Sequence, residues 1–493
     1  MYLRFFLDGN AFPTEGESSA LTADSMRGSI LGGGIIRTAL TLAWPVMLSN
    51  AFETVYNLTD AFWLGKLGPE AVAAPSISWP IMFLFISLSA GFGISGISLV
   101  SQYTGAGLPE KANKSAGQLL FVLLSSSCAA MILGFLFAGD ILTLMGASQI
   151  VQATTTPYLQ VMFLAMPFLF FHFGFRATLR GYGDTKTPMI LTIASSVLDT
   201  ALDPFFVFGW GPIPQMGVVG AALTTLMTRG LAAIIGMYLL FSGRLGIKLK
   251  LSDLKPDLSW MKKVVSIGVP SAIGLSGTAL GFVVLISLVS IEDRLLPGEG
   301  ILLAAYGIGS RLINFINIVL WGGVSAISTM VGQNLGANQN ARAVETVKKL
   351  LLSFAILSVT GSAVIYFLRV PLYTLFISNL EVLDAGSTFI TFFVFSVPFF
   401  TIFRMVSGVF EGAGNTRPSM ILSLIRLWGL RTLLAYVFYF FLGMGAAGIW
   451  AGMAIGNVGA AALSVAWLSN GTWKRRVIEE EPRMIRPSAE LST

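Results

Sequence analysis

The chain has 493 residues, of which 54% are hydrophobic and only 11% charged, with a formal net charge of +6. A soluble domain carries roughly 25% charged residues, so a water-soluble globule is excluded. Apolar stretches of about twenty residues recur along the whole length, which marks membrane-spanning helices and excludes the shorter, alternating segments of a β-barrel.

The basic excess lies in loops between apolar runs, where it reads as a membrane-orientation signal rather than a nucleic-acid footprint. One cysteine, Cys128, excludes disulfides and Cys-based metal sites and is expected to be a small buried thiol. Residues 1–34 are polar and Gly-rich, without the pattern of a cleaved signal peptide, and read as a cytoplasmic tail. Apolar helices follow at 35–62, 75–101, 115–138, 156–178, 188–209 and 217–241. A polar stretch at 242–262 separates them from helices at 263–290, 301–331, 346–368, 386–410, 418–442 and 446–469. The organisation expected is a first lobe over 35–241, an inter-lobe loop over 242–262, a second lobe over 263–470 and a basic tail over 471–493.

Lys and Arg set the orientation. One side collects Lys111, Lys114, Arg176, Arg180, Lys186, Arg342, Lys348, Lys349, Arg404 and Arg417. The inter-lobe loop adds Arg244, Lys248, Lys250, Lys255, Lys262 and Lys263, and the tail adds Lys474, Arg475, Arg476, Arg483 and Arg486. The opposite loops hold only Lys66, Arg294 and Arg369. Both termini are therefore expected in the cytoplasm of a plasma or inner membrane protein.

Acids inside the apolar runs are the main chemical signal. A carboxylate at the centre of a spanning helix costs about 3 kcal/mol on insertion scales, so it persists only beside a cavity, a cation, a partner or a proton. Glu53, Tyr56, Asn57 and Asp60 share a stripe of the first helix that cannot face lipid. Asp199 and Asp203, four apart on the fifth helix, share a face that Thr192, Ser195 and Ser196 extend with oxygens. Pro204 frees the carbonyl of Thr200 on the same helix. Two carboxylates one turn apart in low dielectric require a proton on one, a cation between them, or a partner such as Arg229. Carboxylates, hydroxyls and a loose carbonyl are the hard oxygen ligands of a small cation. Tyr56, Tyr158, Trp79 and Phe83 supply aromatic walls for cation–π contact, although core packing is the commoner role of such rings. The lone histidine, His172, lies between Phe171 and Phe173 and is expected to pack or hydrogen-bond rather than relay protons.

The second half lacks acids at 266–288 and 392–410, and Glu411, at a helix end, is expected to be solvated. Arg229, Arg311, Arg426 and Arg431 are intramembrane cations in need of partners.

The halves repeat. Ser101-Gln102-Tyr103-Thr104-Gly105-Ala106-Gly107 follows the second helix, and Gly332-Gln333-Asn334-Leu335-Gly336-Ala337-Asn338 follows the eighth. Gly181-Tyr182-Gly183-Asp184-Thr185-Lys186-Thr187-Pro188 and Gly412-Ala413-Gly414-Asn415-Thr416-Arg417-Pro418 follow the fourth and tenth. In both cases the offset is 231 residues. Gly217-x-x-Gly220 opens the sixth helix and Gly445-x-x-Gly448 the twelfth. These motifs read as loops, turns and close packing, and so report the fold. The fold class expected is an all-α polytopic membrane protein: twelve transmembrane helices in two six-helix lobes, related by a pseudo-twofold axis along the membrane normal.

With Tyr56-Asn57-Leu58-Thr59-Asp60-Ala61-Phe62-Trp63-Leu64-Gly65 and Leu202-Asp203-Pro204, these motifs resemble the multidrug and toxic compound extrusion (MATE) transporters over residues 35–470. The acids in the first half make the chain similar to the DinF-type branch, including its archaeal members. The resemblance implies export of organic, often cationic and amphiphilic, compounds against inward flow of H⁺ or Na⁺, with no cofactor and a monomeric protein in the lipid bilayer. It implies proton or cation binding at Asp60, Asp203 and Asp199, which would also be the Na⁺ ligands if sodium couples. It also implies a first helix that bends at Pro45 and a sixth-helix hydroxyl that is either Thr224 or Thr225. Asp199 and Glu53 depart from the family's usual Asn and Gln, which adds negative charge.

No enzyme constellation is visible. The major-facilitator class would carry a different loop after the second helix, and a receptor or channel does not fit the duplicated architecture. The alternative kept open is a lipid-linked oligosaccharide or lipid flippase of the same superfamily.

Overall fold

The computed structural model describes residues 17–295 and 300–479. Among them ten single helices are long and apolar enough to cross a membrane, and two bent helix pairs bring the count to twelve. The first half holds Ile35–Gly65, Pro69–Gly105, Pro109–Leu144, the pair Gln149–Leu164 and Met166–Tyr182, Lys186–Phe208 and Gly217–Ser242. The second holds Leu258–Asp293, Ile301–Gly336, Asn340–Phe367, the pair Leu380–Val394 and Val397–Ala413, Thr416–Phe440 and Gly445–Ser469. These are called the first to twelfth spans. No strand occurs among the described residues, only an isolated bridge between Trp210 and Ile213.

Every helix expected from the sequence is present, and most run further than their apolar windows. The second and eighth spans continue to Gly105 and Gly336, so Ser101–Gly105 and Gly332–Gly336 are helical rather than loops. The physical reason is burial: Gln102, Gln333 and Asn334 are fully enclosed although polar. Bends of 44° in the fourth span and 47° in the tenth fall just before Pro167 and Pro398, again 231 residues apart. Proline lacks the N–H that would continue the ladder, and kinks arise there.

The first span packs on the fifth and the eighth, and the second packs on the fourth, seventh and eighth. The halves therefore meet through the first two spans of each. At one end of this seam the repeats interlock. Gln102 Nε2 donates to the carbonyls of Gly412 and Ala413, at 3.2 and 3.0 Å. Gln333 Nε2 donates to those of Gly181 and Tyr182, both at 3.1 Å. The acceptors are carbonyls at helix C-termini, which have no intrahelical partner of their own. A Cβ built on Gly105 would lie 2.0 Å from the Gln333 carbonyl oxygen, and one on Gly336 would lie 2.0 Å from that of Gln102. Only glycine permits this approach.

Within the expected N-terminal tail, Glu17–Gly32 forms a helix whose Ile30 is fully buried. Arg342 holds its end by donating to the carbonyls of Ile30 (3.0 Å) and Gly33 (2.5 Å). Residues 1–16 of that tail, and 480–493 of the basic tail with Arg483 and Arg486, lie outside the described residues.

Arg311, on the eighth span, is exposed. One expectation about a single residue is corrected: Cys128 is exposed on the third span rather than buried. In a membrane helix the outward face is as apolar as the core, so apolar neighbours do not imply burial in protein.

Candidate functional site

The fifth and sixth spans pack face to face and turn their oxygens inward. Asp199 and Asp203 are 2% and 1% exposed. Thr224 Oγ1 is in hydrogen-bond contact with Asp203 Oδ1. Thr228 Oγ1 lies 2.7 Å from Asp199 Oδ1. Of the two sixth-span hydroxyls left open in the sequence, Thr224 is the one that meets Asp203. Thr225 points to the first span instead, 3.0 Å from the Tyr56 hydroxyl. Thr228, four residues after Thr224, repeats the arrangement one turn on, a pairing that the Asp199–Asp203 spacing itself signals.

Each carboxyl keeps a second oxygen, Asp199 Oδ2 and Asp203 Oδ2, that is buried without a hydrogen-bond partner. The Ser196 hydroxyl beside them is buried and unpartnered too. Arg229, considered as a salt-bridge partner, forms no ion pair with either acid among the described residues. It is 7% exposed, and its guanidinium lies 5.6 Å from the Tyr56 ring centroid. His172 meets Thr192 through Nε2 at 3.2 Å, so Thr192 is engaged by a ring nitrogen.

The first-span residues divide. Asp60 is half-buried and makes no hydrogen bond or ion pair among the described residues. Tyr158 is 8% exposed and packs with Leu64, Val207 and Val218. Among the described residues no three of His, Cys, Asp and Glu stand close enough to hold a metal ion, so Asp60, Asp199 and Asp203 do not form one compact ligand set. Pro45 lies inside an unbroken first span, buried, and its carbonyl accepts from the Ser49 hydroxyl at 2.9 Å. Trp79 is 55% exposed and touches Phe83 at 5.8 Å between ring centroids.

Glu53 and Asn57 line a different space, a cavity of about 400 Å³ between the halves. Glu53 Oε1 lies 2.5 Å from Arg176 Nη1. Arg180, Arg404 and Glu411 line the same cavity. Arg176 and Arg404, counted among the orientation cations, are thus interior residues, 7% and 8% exposed. Glu411, expected to be solvated, is 7% exposed and lies 3.8 Å from Arg404. The tenth span continues to Ala413 and turns Glu411 inward. The first half has Arg180 at the matching repeat position. A second cavity of about 370 Å³ adjoins through Trp321 and Arg404; Phe83 lines it together with Arg426 and Arg431.

Comparison with known proteins bears on this arrangement. The MatE family pattern matches residues 45–205 and 271–437. The probable multidrug resistance protein YoeA of Bacillus subtilis strain 168 is 26% identical, covering 83% of this chain and 88% of that one. The probable multidrug resistance protein NorM of Thermotoga maritima is 25% identical, covering 91% and 96%. A crystal structure of a MATE protein in complex with MaL6 superposes with a TM-score of 0.84 at 24% identity, covering 90% of this chain and 98% of that one.

Proposed function

The chain belongs to the MatE family, and from that premise we propose that it is a secondary active antiporter. It exports small organic compounds, cationic amphiphiles among them, in exchange for H⁺ or Na⁺. The similarity to multidrug resistance proteins supports the substrate class. We place it as a monomer in the cell membrane with both termini cytoplasmic, on the distribution of Lys and Arg. We assign it to the DinF-type branch on Asp60 and Asp203.

The observation that carries the coupling is the pair Asp199 and Asp203, each fully enclosed with one unpartnered oxygen. Hydrogen counting favours a proton as the ion. Thr228 Oγ1 lies within reach of both Asp199 Oδ1 (2.7 Å) and the Thr224 carbonyl (2.9 Å). Thr224 Oγ1 stands in the same way between Asp203 Oδ1 and the Ala221 carbonyl. A hydroxyl has one hydrogen to give. A proton on the carboxyl lets the carboxyl donate to the hydroxyl while the hydroxyl donates to the carbonyl, and both contacts are then made. Without that proton one contact in each pair sets two acceptors against each other.

In the cycle, ionised Asp60 and Asp203 attract a cationic substrate or the coupling ion. Neutralisation removes the charge, the first span bends at Pro45, and the cavity contracts. Ion binding drives this as a population shift, because the two states differ in ion affinity. Tyr56, joined to Thr225 and beneath Arg229, links the first span to the acid pair.

The test is efflux of a cationic dye from proteoliposomes under separately imposed proton and Na⁺ gradients. Export driven by the proton gradient is expected, with a loss of at least tenfold in Asp203→Asn. Equal export by Asp203→Asn and the parent chain under both gradients overturns the coupling role.

A further inference from the structure

The cavity of about 370 Å³ in the second half has a polarity that cation export does not use. Arg404, Arg426 and Arg431 line it, and no Asp or Glu does among the described residues. Arg426 and Arg431 are each 3% exposed. Two acids line the neighbouring cavity instead, Glu411 at 3.8 Å from Arg404 and Glu53 paired with Arg176. Arg426 has one weak compensation, a 3.3 Å bond from Nη1 to the Asn457 side-chain oxygen. Its Nε and that of Arg431 are buried with no hydrogen-bond partner, and the side-chain bond of Arg431 to the Tyr306 hydroxyl is to a neutral group.

Ring faces do not make up the deficit. The Arg426 guanidinium lies 5.0 and 5.1 Å from the centroids of Phe400 and Phe403, and that of Arg431 lies 5.0 and 5.3 Å from those of Phe282 and Phe393. A desolvated cation–π contact is worth about 2 kcal/mol. An enclosed charge costs several kcal/mol after relaxation. Two enclosed guanidinium groups beside one cavity therefore call for a counter-anion.

The backbone is built to present them together. Residues Ile425–Thr432 form a π-helix inside the eleventh span. On an α-helix, at about 100° per residue, residues five apart point to well-separated faces. The i→i+5 hydrogen bond of a π-helix brings residue 431 back over residue 426, and such segments concentrate at functional sites. Both guanidinium groups thereby reach one cavity, among Tyr306, Trp321 and Phe400. A volume of about 370 Å³ is within the range of small-ligand pockets, roughly 300–1,000 Å³.

We propose that this cavity is a binding site for an organic anion: Arg426 and Arg431 hold its phosphate- or carboxylate-type group, and the surrounding rings hold an aromatic or apolar body. Arginine forks match such groups bidentately. The site is separate from the Asp199–Asp203 pair and does not depend on the coupling ion. Two sources share this chemistry, a soluble aromatic anion and the headgroup of an anionic lipid.

The test is equilibrium dialysis of fluorescent 1-naphthyl phosphate against the full chain in phosphatidylcholine nanodiscs, with 1-naphthol as the neutral match and no ion gradient. The phosphate is expected to bind at least tenfold more tightly than the naphthol. Arg426→Gln and Arg431→Gln are each expected to lower its affinity at least tenfold, and Arg426→Lys by less. Arg369→Gln, which removes a charge paired with Ser387 outside the cavity, should leave binding unchanged. Monodisperse elution and an unchanged Tm of the lysine variant separate lost binding from lost folding. Repeating the dialysis with phosphatidylglycerol nanodiscs assigns the source. Displacement of the probe identifies a lipid headgroup and undiminished binding a soluble anion, and either result upholds the site. Equal affinity for phosphate and naphthol, or phosphate binding indifferent to both glutamine variants, overturns it. Because the readout is equilibrium binding, it stands whether or not the proposed antiport fails.

Discussion

Gln102 and Gln333 hold the two halves together reciprocally: the amide of each donates to the last carbonyls of a bent span in the opposite half. Gln102 also accepts the backbone N–H of Val477 at 2.9 Å, which brings the C-terminal segment onto the same junction. Four buried carbonyls depend on two side chains.

Removing either glutamine strands two carbonyls, at about 1–3 kcal/mol for each group left buried and unsatisfied. Gln102→Ala and Gln333→Ala are each expected to lower the Tm in detergent by several degrees. The double variant should also broaden the distance between spin labels placed across the seam. Cys128 is exposed and must first be replaced by serine to keep the labelling specific. Unchanged distances in the double variant would show that packing alone closes this end.

The glycines at the same junction give a steric version of that test. Gly105→Ala and Gly336→Ala each drive a Cβ to within 2.0 Å of a backbone oxygen that cannot swing away. Both are expected to express poorly or to abolish export. Gly307→Ala on the eighth span, where nothing lies within 4 Å, should be tolerated. Dye efflux and yield of folded protein decide between them.

The Glu53–Arg176 pair is enclosed on the arginine side and partly open on the glutamate side, with side-chain exposures of 9% and 29%. Breaking a fully buried pair from one side costs about 3–5 kcal/mol. The open glutamate reduces that here to about 1–3 kcal/mol by solvent screening. Glu53→Gln should lower the Tm, and adding Arg176→Gln should recover much of the loss, because the stranded charge goes with it. A double variant less stable than the sum of the single changes contradicts this.

Thr228→Val removes the hydroxyl 2.7 Å from Asp199 Oδ1. Gradient-driven export is expected to fall severalfold. Asp199→Asn in the same background replaces a charge-bearing group with a neutral one and should raise the Tm again without restoring export, since a neutral amide costs less to enclose than an ionisable acid but cannot take up a proton. Efflux rates and Tm values of the single and double variants, beside the parent chain, check this.

Much of the fold is readable from the chain because hydrocarbon imposes length and apolarity on each span, and the 231-residue offset pairs the halves motif by motif. The acid pair is readable for the same reason, since Asp199 and Asp203 lie in a run that tolerates little charge. Helix ends were less legible. Gln102 and Gln333 look like loop residues, yet they are enclosed by contact with the other half, which no local window contains. Glu411 and Arg176 read as solvated for the same reason, being polar groups near a span's end. Cys128 shows the converse, because apolar surroundings in sequence do not distinguish lipid from protein. Thr224 could be chosen over Thr225 only once the rotation of the sixth span against the fifth was fixed.

The π-helical segment of the eleventh span makes the second cavity depend on spacing as much as on side-chain identity. Deleting one residue between Arg426 and Arg431, for example Gly429, leaves every charge in the chain intact. It also removes the extra residue that the wider turn accommodates. The two guanidinium groups are then four apart on an ordinary helix, where they still share a face. Inserting a second residue there, which a single wide turn does not absorb, parts them instead, so polarity at this site is written in chain length, along a route that residue-by-residue exchange does not reach.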